Sequence, residues 1–206
     1  MRVPNKSLIK IIVIFILSLL LIWVSWYVFY SRYIKHFGIE LVPSQDFQPK
    51  EVIYYLQSDP LWGADNIGNS SYKMAGSGCL ITSISVAMND LGISITPKEL
   101  NFKFYESGVY TDDGDVIWKM INKAENKIDY SYKRIFSAKT IENDLKNGLL
   151  PLVFVQYHGK GVDHWILIVG AFEGEFLIYD PINGKLDYLP LSTHGKVYAY
   201  RVIVLT

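Results

Sequence analysis

Cys79 is the one cysteine in a chain of 206 residues. It follows Ala75-Gly76-Ser77-Gly78 and opens an apolar run with helical spacing. A thiol in the first turn of a helix feels the positive end of the macrodipole, which lowers its pKa toward the nucleophilic thiolate. The glycines ahead of it let a substrate backbone approach, and the N–H of Cys79 can donate to an oxyanion. The competing reading is plain packing, because free cysteines commonly behave as small buried hydrophobes. A lone cysteine cannot form an internal disulfide, so it says nothing about the redox compartment.

A cysteine nucleophile requires a general base, and there are four histidines. His36 falls in a stretch without clear periodicity. His158 and His194 sit beside glycines in loops, where a solvated side chain is expected. His164 precedes the strand-like run Trp165-Ile166-Leu167-Ile168-Val169-Gly170, which would hold its ring on a rigid element. The following run, Phe176 to Tyr179, ends at Asp180-Pro181. If the two runs pair antiparallel through the turn Glu173-Gly174-Glu175, His164 and Asp180 reach the same sheet edge. An aspartate there orients the imidazole and stabilises its cation. Asp-Pro is also a common turn starter, and that alternative stays open.

The elements that must position these residues change character along the chain. Leu80, Ile84, Met88 and Leu91 recur at helical spacing after Cys79, and Gly92 ends the run. Thr96-Pro97-Lys98-Glu99 offers a cap, a first-turn proline and a capping-box glutamate. Ile117, Met120, Ile121 and Ala124 predict a third helix, and Ile141 with Leu145 a short fourth. Beyond Pro151 the texture becomes strands: 152–155, 165–172, 176–179, 186–189 and 197–205. Helices first and strands afterwards predict an α+β domain, with an antiparallel sheet packed on helices.

Charge separates this domain from what precedes it. The chain holds twenty basic and twenty acidic residues, for a net charge of zero. Residues 1–39 contain Arg2, Lys6, Lys10, Arg32 and Lys35 and no acid, so the rest carries the compensating negative charge. A neutral total argues against a nucleic-acid binder that relies on global positive charge, and no nucleic-acid partner is expected. From Ile11 to Tyr30 twenty residues pass without a charge, enough for a helix to cross a hydrocarbon core of about 30 Å. Trp23, Trp26, Tyr27 and Tyr30 gather at its far end, at headgroup level. The run is longer than a signal-peptide core, and bulky Tyr27, Phe29, Tyr30 and Tyr33 replace the small residues of a cleavage site. An uncleaved signal anchor is expected, with residues 1–10 cytoplasmic, 11–30 spanning, 31–50 a tether, and 51–206 a single domain outside the cytoplasm. The membrane is thus an expected partner, through the N-terminal helix.

Other chemistries find little support. Asp112, Asp113 and Asp115 with Gly114 lack the full spacing of a calcium loop, and are expected instead to open the helix containing Ile117. One cysteine and scattered histidines offer zinc no ligand set at useful spacing, so no metal and no cofactor are expected. No G-x-x-x-x-G-K-[ST] phosphate loop occurs.

Gln57-x-Asp59-x-x-Trp62, Gly78-Cys79 opening a helix, His164-Trp165 on a strand, and Asp180-Pro181 after the next strand together resemble the double-glycine-type cysteine peptidases. The resemblance is to family 39 in its stand-alone, peptidase-like branch within the papain-like superfamily, and it spans roughly Val52 to Leu205. It implies a papain-like fold and thiolate attack on a peptide or isopeptide carbonyl of a peptide or protein substrate. Cys79, His164 and Asp180 would be nucleophile, base and orienter, with Gln57 the oxyanion donor. Gln57 stands 22 residues ahead of Cys79, farther than in papain-like enzymes generally, a gap that the stand-alone branch tolerates. Asp59 and Trp62 are expected to serve packing and turn formation. Two other readings keep the same groove: a catalytically idle peptide-binding or secretion-accessory domain, and an enzyme acting on cell-wall peptide crosslinks.

Overall fold

Helix α1 (Lys6–Phe37) opens the computed structural model, which describes residues 6–185 and 187–206. Residues 1–5 of the expected cytoplasmic segment, and Leu186 of an expected strand, lie outside the described residues. Ile9–Phe37 is long and apolar enough to cross a membrane, and the rest of the chain buries none of its apolar window. Trp23 stacks on Tyr27, Trp26 on Tyr30 and Tyr30 on Tyr33, one turn apart along the helix.

The stretch expected as a tether is packed chain. Helix α1 runs on to Phe37, and its last turns bury Ile34 against the sheet. Gly38 reverses the backbone at φ +64°. Beyond it Ile39 pairs with Val197 and Phe47 with Ala171, while the Lys50 N–H donates to Val169 O at 2.9 Å. The Ser44 N–H is also taken, by Glu142 Oε1 at 2.5 Å. These backbone groups find partners on the sheet and on α6 (Ala138–Lys146), so the segment is a strap and not a free linker.

The sheet has six antiparallel strands in the order β1-β6-β2-β3-β4-β5. They are β1 (Ile128–Tyr132), β2 (Pro151–Gln156), β3 (Asp163–Phe172), β4 (Glu175–Tyr179), β5 (Leu189–Pro190) and β6 (Val197–Leu205). Strand side chains alternate between its faces. Leu152, Leu167 and Ile203 join Ile84, Met88, Leu100 and Phe104 on one side; Val153, Ile166, Ile168 and Val202 join Ile34, Phe136 and Ile141 on the other. Burial on both faces explains why these strands read as unbroken apolar runs. The turn between β3 and β4 is Glu173-Gly174, with φ +51° and +80°, the two left-handed residues of a tight hairpin.

On the first face lie α2 (Met74–Ser77), α3 (Cys79–Asp90), α4 (Pro97–Glu106) and the single turn α5 (Ile121–Ala124). The capping box at Thr96 and Glu99 forms as its residues predict. The expected third helix shrinks to a 3-10 turn at Trp118–Met120 followed by α5. Strand β1 was not expected, because Asp129 and Ser131 dilute its pattern; it takes its hydrogen bonds from β6. Most of the Ala75-Gly78 stretch lies in the short helix α2, and Gly78 joins α2 to α3. A Cβ on Gly78 would come within 2.5 Å of Met74 O, which is the close approach that lets α2 run straight into α3.

Candidate active site

Cys79 is the first residue of α3 and is 8% exposed. One turn further on, Ser83 Oγ donates to Trp165 O at 3.3 Å and ties the helix that Cys79 opens to the strand that carries His164. The expectation of a lowered thiol pKa is reversed. Burial pushes the Cys79 thiol up to about 11, against backbone hydrogen bonds from Trp165 and Leu80 that act in the opposite direction. Removal from water is the larger effect on this sulfur and outweighs those hydrogen bonds. At rest Cys79 is therefore a neutral thiol.

His164 is second in β3 and 1% exposed. The β3–β4 hairpin carries Asp180, one residue past β4, back to it: His164 Nε2 and Asp180 Oδ1 lie 2.7 Å apart. The Ile182 N–H donates to that same oxygen at 2.9 Å. Burial alone would raise the Asp180 carboxyl; hydrogen bonds from His164, His194 and Ile182 outweigh it and hold the group well below the usual carboxylate range. With Nε2 committed to Asp180, His164 keeps Nδ1 as its proton acceptor.

His194 departs most from expectation. The expected solvated loop residue is 1% exposed, and its Nε2 lies 3.2 Å from Asp180 Oδ2. The His158 N–H donates to His194 Nδ1 at 3.0 Å, so Nδ1 is unprotonated and Nε2 carries the proton. The only local signal was its apolar setting, Leu189 to Leu191 before and Val197 after. His36 is exposed on α1, and His158 is exposed in a turn at φ +51°.

Gln57 is buried and lines the same cleft as Cys79. Its backbone N–H donates to Pro181 O at 2.9 Å and its Nε2 to Ala75 O at 2.8 Å. An amide nitrogen has two hydrogens, and the Ala75 bond uses one of them. Asp59 and Trp62 shape the turn below: Asp59 Oδ1 accepts from the Leu61 N–H, and buried Trp62 donates its indole N–H to Leu56 O.

A cleft of about 520 Å³ is lined by Gln57, Cys79 and His164, with Asp180 behind the histidine. Tyr157 stands edge-on to His164, ring centres 5.4 Å apart. Asp113, Asp115 and Asp163 also line it. The first two do not start a helix, as was expected. Thr111 and Asp115 close a tight turn around Gly114, φ +88°, which places Asp113 and Asp115 in the cleft wall.

The sequence profile of the Peptidase C39-like family matches residues 49–202. The chain belongs to that family. Among solved structures, a Bacillus anthracis protein with a provisional C39-like peptidase designation aligns at 15% identity and TM-score 0.46. The alignment covers 75% of this chain and 98% of that one. No curated protein matches.

In this C39-like domain His164, Asp180 and His194 also bring three ligand-type atoms within 4.8 Å of one another. Their hydrogen-bond roles suit proton chemistry better than metal binding. The His194 nitrogen facing Asp180 carries the proton and has no lone pair for a cation.

Proposed function

We propose that this C39-like protein is a membrane-anchored cysteine peptidase or amide hydrolase whose domain lies outside the cytoplasm. The observation that carries the reading is the buried His164–Asp180 pair at 2.7 Å, opening on the cleft that Cys79 and Gln57 also line. The Sγ proton passes to His164 Nδ1 as sulfur bonds to the substrate carbonyl carbon, and the π electrons move to oxygen. The Cys79 N–H and the spare Gln57 N–H stabilise that oxyanion. Collapse expels the amine, which takes the proton from His164. Water, deprotonated by His164, then opens the thioester and restores the thiol. Asp180 stays anionic throughout and stabilises the imidazolium.

A thiol-reactive peptide probe applied to the full chain should label wild type and not Cys79→Ala. Labelling that survives the substitution removes Cys79 as nucleophile. An idle binding domain of the same fold would retain peptide binding but show no probe reaction in the wild type.

A further inference from the structure

Asp180 has two carboxylate oxygens, and the triad accounts for one. Oδ1 receives His164 Nε2 and the Ile182 N–H; Oδ2 faces His194 Nε2 at 3.2 Å. Both histidines and the aspartate are at most 3% exposed, so water does not compete for these contacts. The His158 N–H fixes the tautomer of His194 and leaves Nε2–H as the donor. The same bond fastens the turn Tyr157–Gly159, whose Tyr157 ring lies 5.4 Å from both His164 and His194. His194 arrives from a separate part of the chain, at the end of the 3-10 turn Leu191–Thr193.

We infer that His194 is a positioning residue for the proposed Cys79–His164 chemistry: it holds Asp180 by its second oxygen, keeps the carboxylate aimed at His164, and anchors the Tyr157 turn over the base. The inference rests on the reading of Cys79 as nucleophile. A buried carboxylate held on one oxygen alone can rotate, and His164 would then lose its fixed tautomer and the stabilisation of its cation. The other titratable groups around this cluster are Tyr54, whose hydroxyl reaches Asp180 O at 3.4 Å, Tyr179, His158, Tyr157, and Cys79 across the cleft. Among the described residues, no lysine or arginine contacts Asp180.

The test uses Cys79 as its own reporter, since it is the sole cysteine. Alkylation of the detergent-solubilised full chain by iodoacetamide is followed from pH 5 to 10. In wild type, His164 accepts the thiol proton and supports reaction at neutral pH. His194→Phe is expected to slow alkylation at pH 7 at least about tenfold, a part of the ~10²–10⁴ that a positioned base contributes. Its rate should then climb only as the thiol ionises by itself. His194→Gln places an amide donor near the Nε2 position and should recover most of the rate, whereas His194→Asn reaches only the Nδ1 position and should not. This contrast between two polar variants decides the matter if the phenylalanine variant fails to fold. An unchanged profile in His194→Phe, or equal rescue by Asn and Gln, overturns the inference.

A second readout does not involve Cys79. The low-field His164 Nε2–H proton, seen by ¹⁵N-histidine NMR, should persist in His194→Gln and shift or broaden in His194→Asn. If wild-type alkylation shows no assistance at neutral pH, the nucleophile reading falls. The NMR contrast then decides on its own whether His194 positions Asp180: a resonance identical in both variants overturns that role.

Discussion

At the scale of single residues, the site is an arrangement of donors around one carboxylate and one sulfur. Asp180→Asn keeps the shape but replaces an anion with an amide that can present N–H to His164. It should lower turnover roughly 10²- to 10⁴-fold while KM moves little, measured on any peptide that the wild type cleaves. On the proposed mechanism, Gln57→Ala removes a donor that acts once the oxyanion forms. A loss of roughly 10²–10³ in kcat with an unchanged KM is expected, and a pure KM effect would place Gln57 in substrate binding instead. Cys79, His164 and Asp180 could be singled out in the sequence because each sits where an element starts or ends, and local patterns show element ends. His194 could not. Its burial and its partner come from a loop folded back over β4, fourteen residues after Asp180, and no local pattern encodes that return.

Elements hold these groups in place through their ends. Thr96→Ala removes the α4 capping box, in which Thr96 Oγ1 accepts from the Glu99 N–H and Glu99 Oε2 from the Thr96 N–H. A cost of roughly 0.5–2 kcal/mol is expected in urea unfolding, with the cleft chemistry unaffected. Gly78→Ala is different, because its Cβ would meet the Met74 carbonyl oxygen at 2.5 Å. Relief requires α2 or the start of α3 to move, and the start of α3 is Cys79. Probe labelling should therefore fall more steeply than stability. The β3–β4 hairpin was readable from its glycine turn and apolar runs, and it does bring His164 to Asp180. Strand β1 and the strap at 38–50 were not readable. Their partners lie on β6 and β3, distant in sequence, and their own residues alternate weakly or not at all.

At the scale of the whole molecule, pH links the site to stability. Asp180 is held below its ordinary value of 3.8 in the folded chain. Its contribution to stability is present above that value and is lost as pH falls from about 4 toward the lower folded value. Urea midpoints of the wild type should drop over that interval, and Asp180→Asn should drop less steeply. Cys79 has the opposite sign: its folded value is raised from 9.0 to about 11, so its contribution is intact below pH 9 and fades as pH rises through 11. The proposed anchor makes a prediction of its own. The full chain should resist extraction from membranes by alkaline carbonate, and protease added from outside should reach the domain; release by carbonate would refute the anchor.

Composition and periodicity alone determined the long apolar helix, the α+β order, the starts of α3 and α4, and the residue types for thiol chemistry. Each of these is a property of neighbours within a few residues, where spacing and capping act directly. The tertiary structure decided what depends on contacts between distant segments. It closed the tether onto the sheet, turned the acidic loop toward the cleft, and withdrew Cys79 from water so that its thiol is held neutral. It also placed a second histidine on Asp180. Burial is set by what packs over a residue, and in this chain those covering pieces come from far along the sequence.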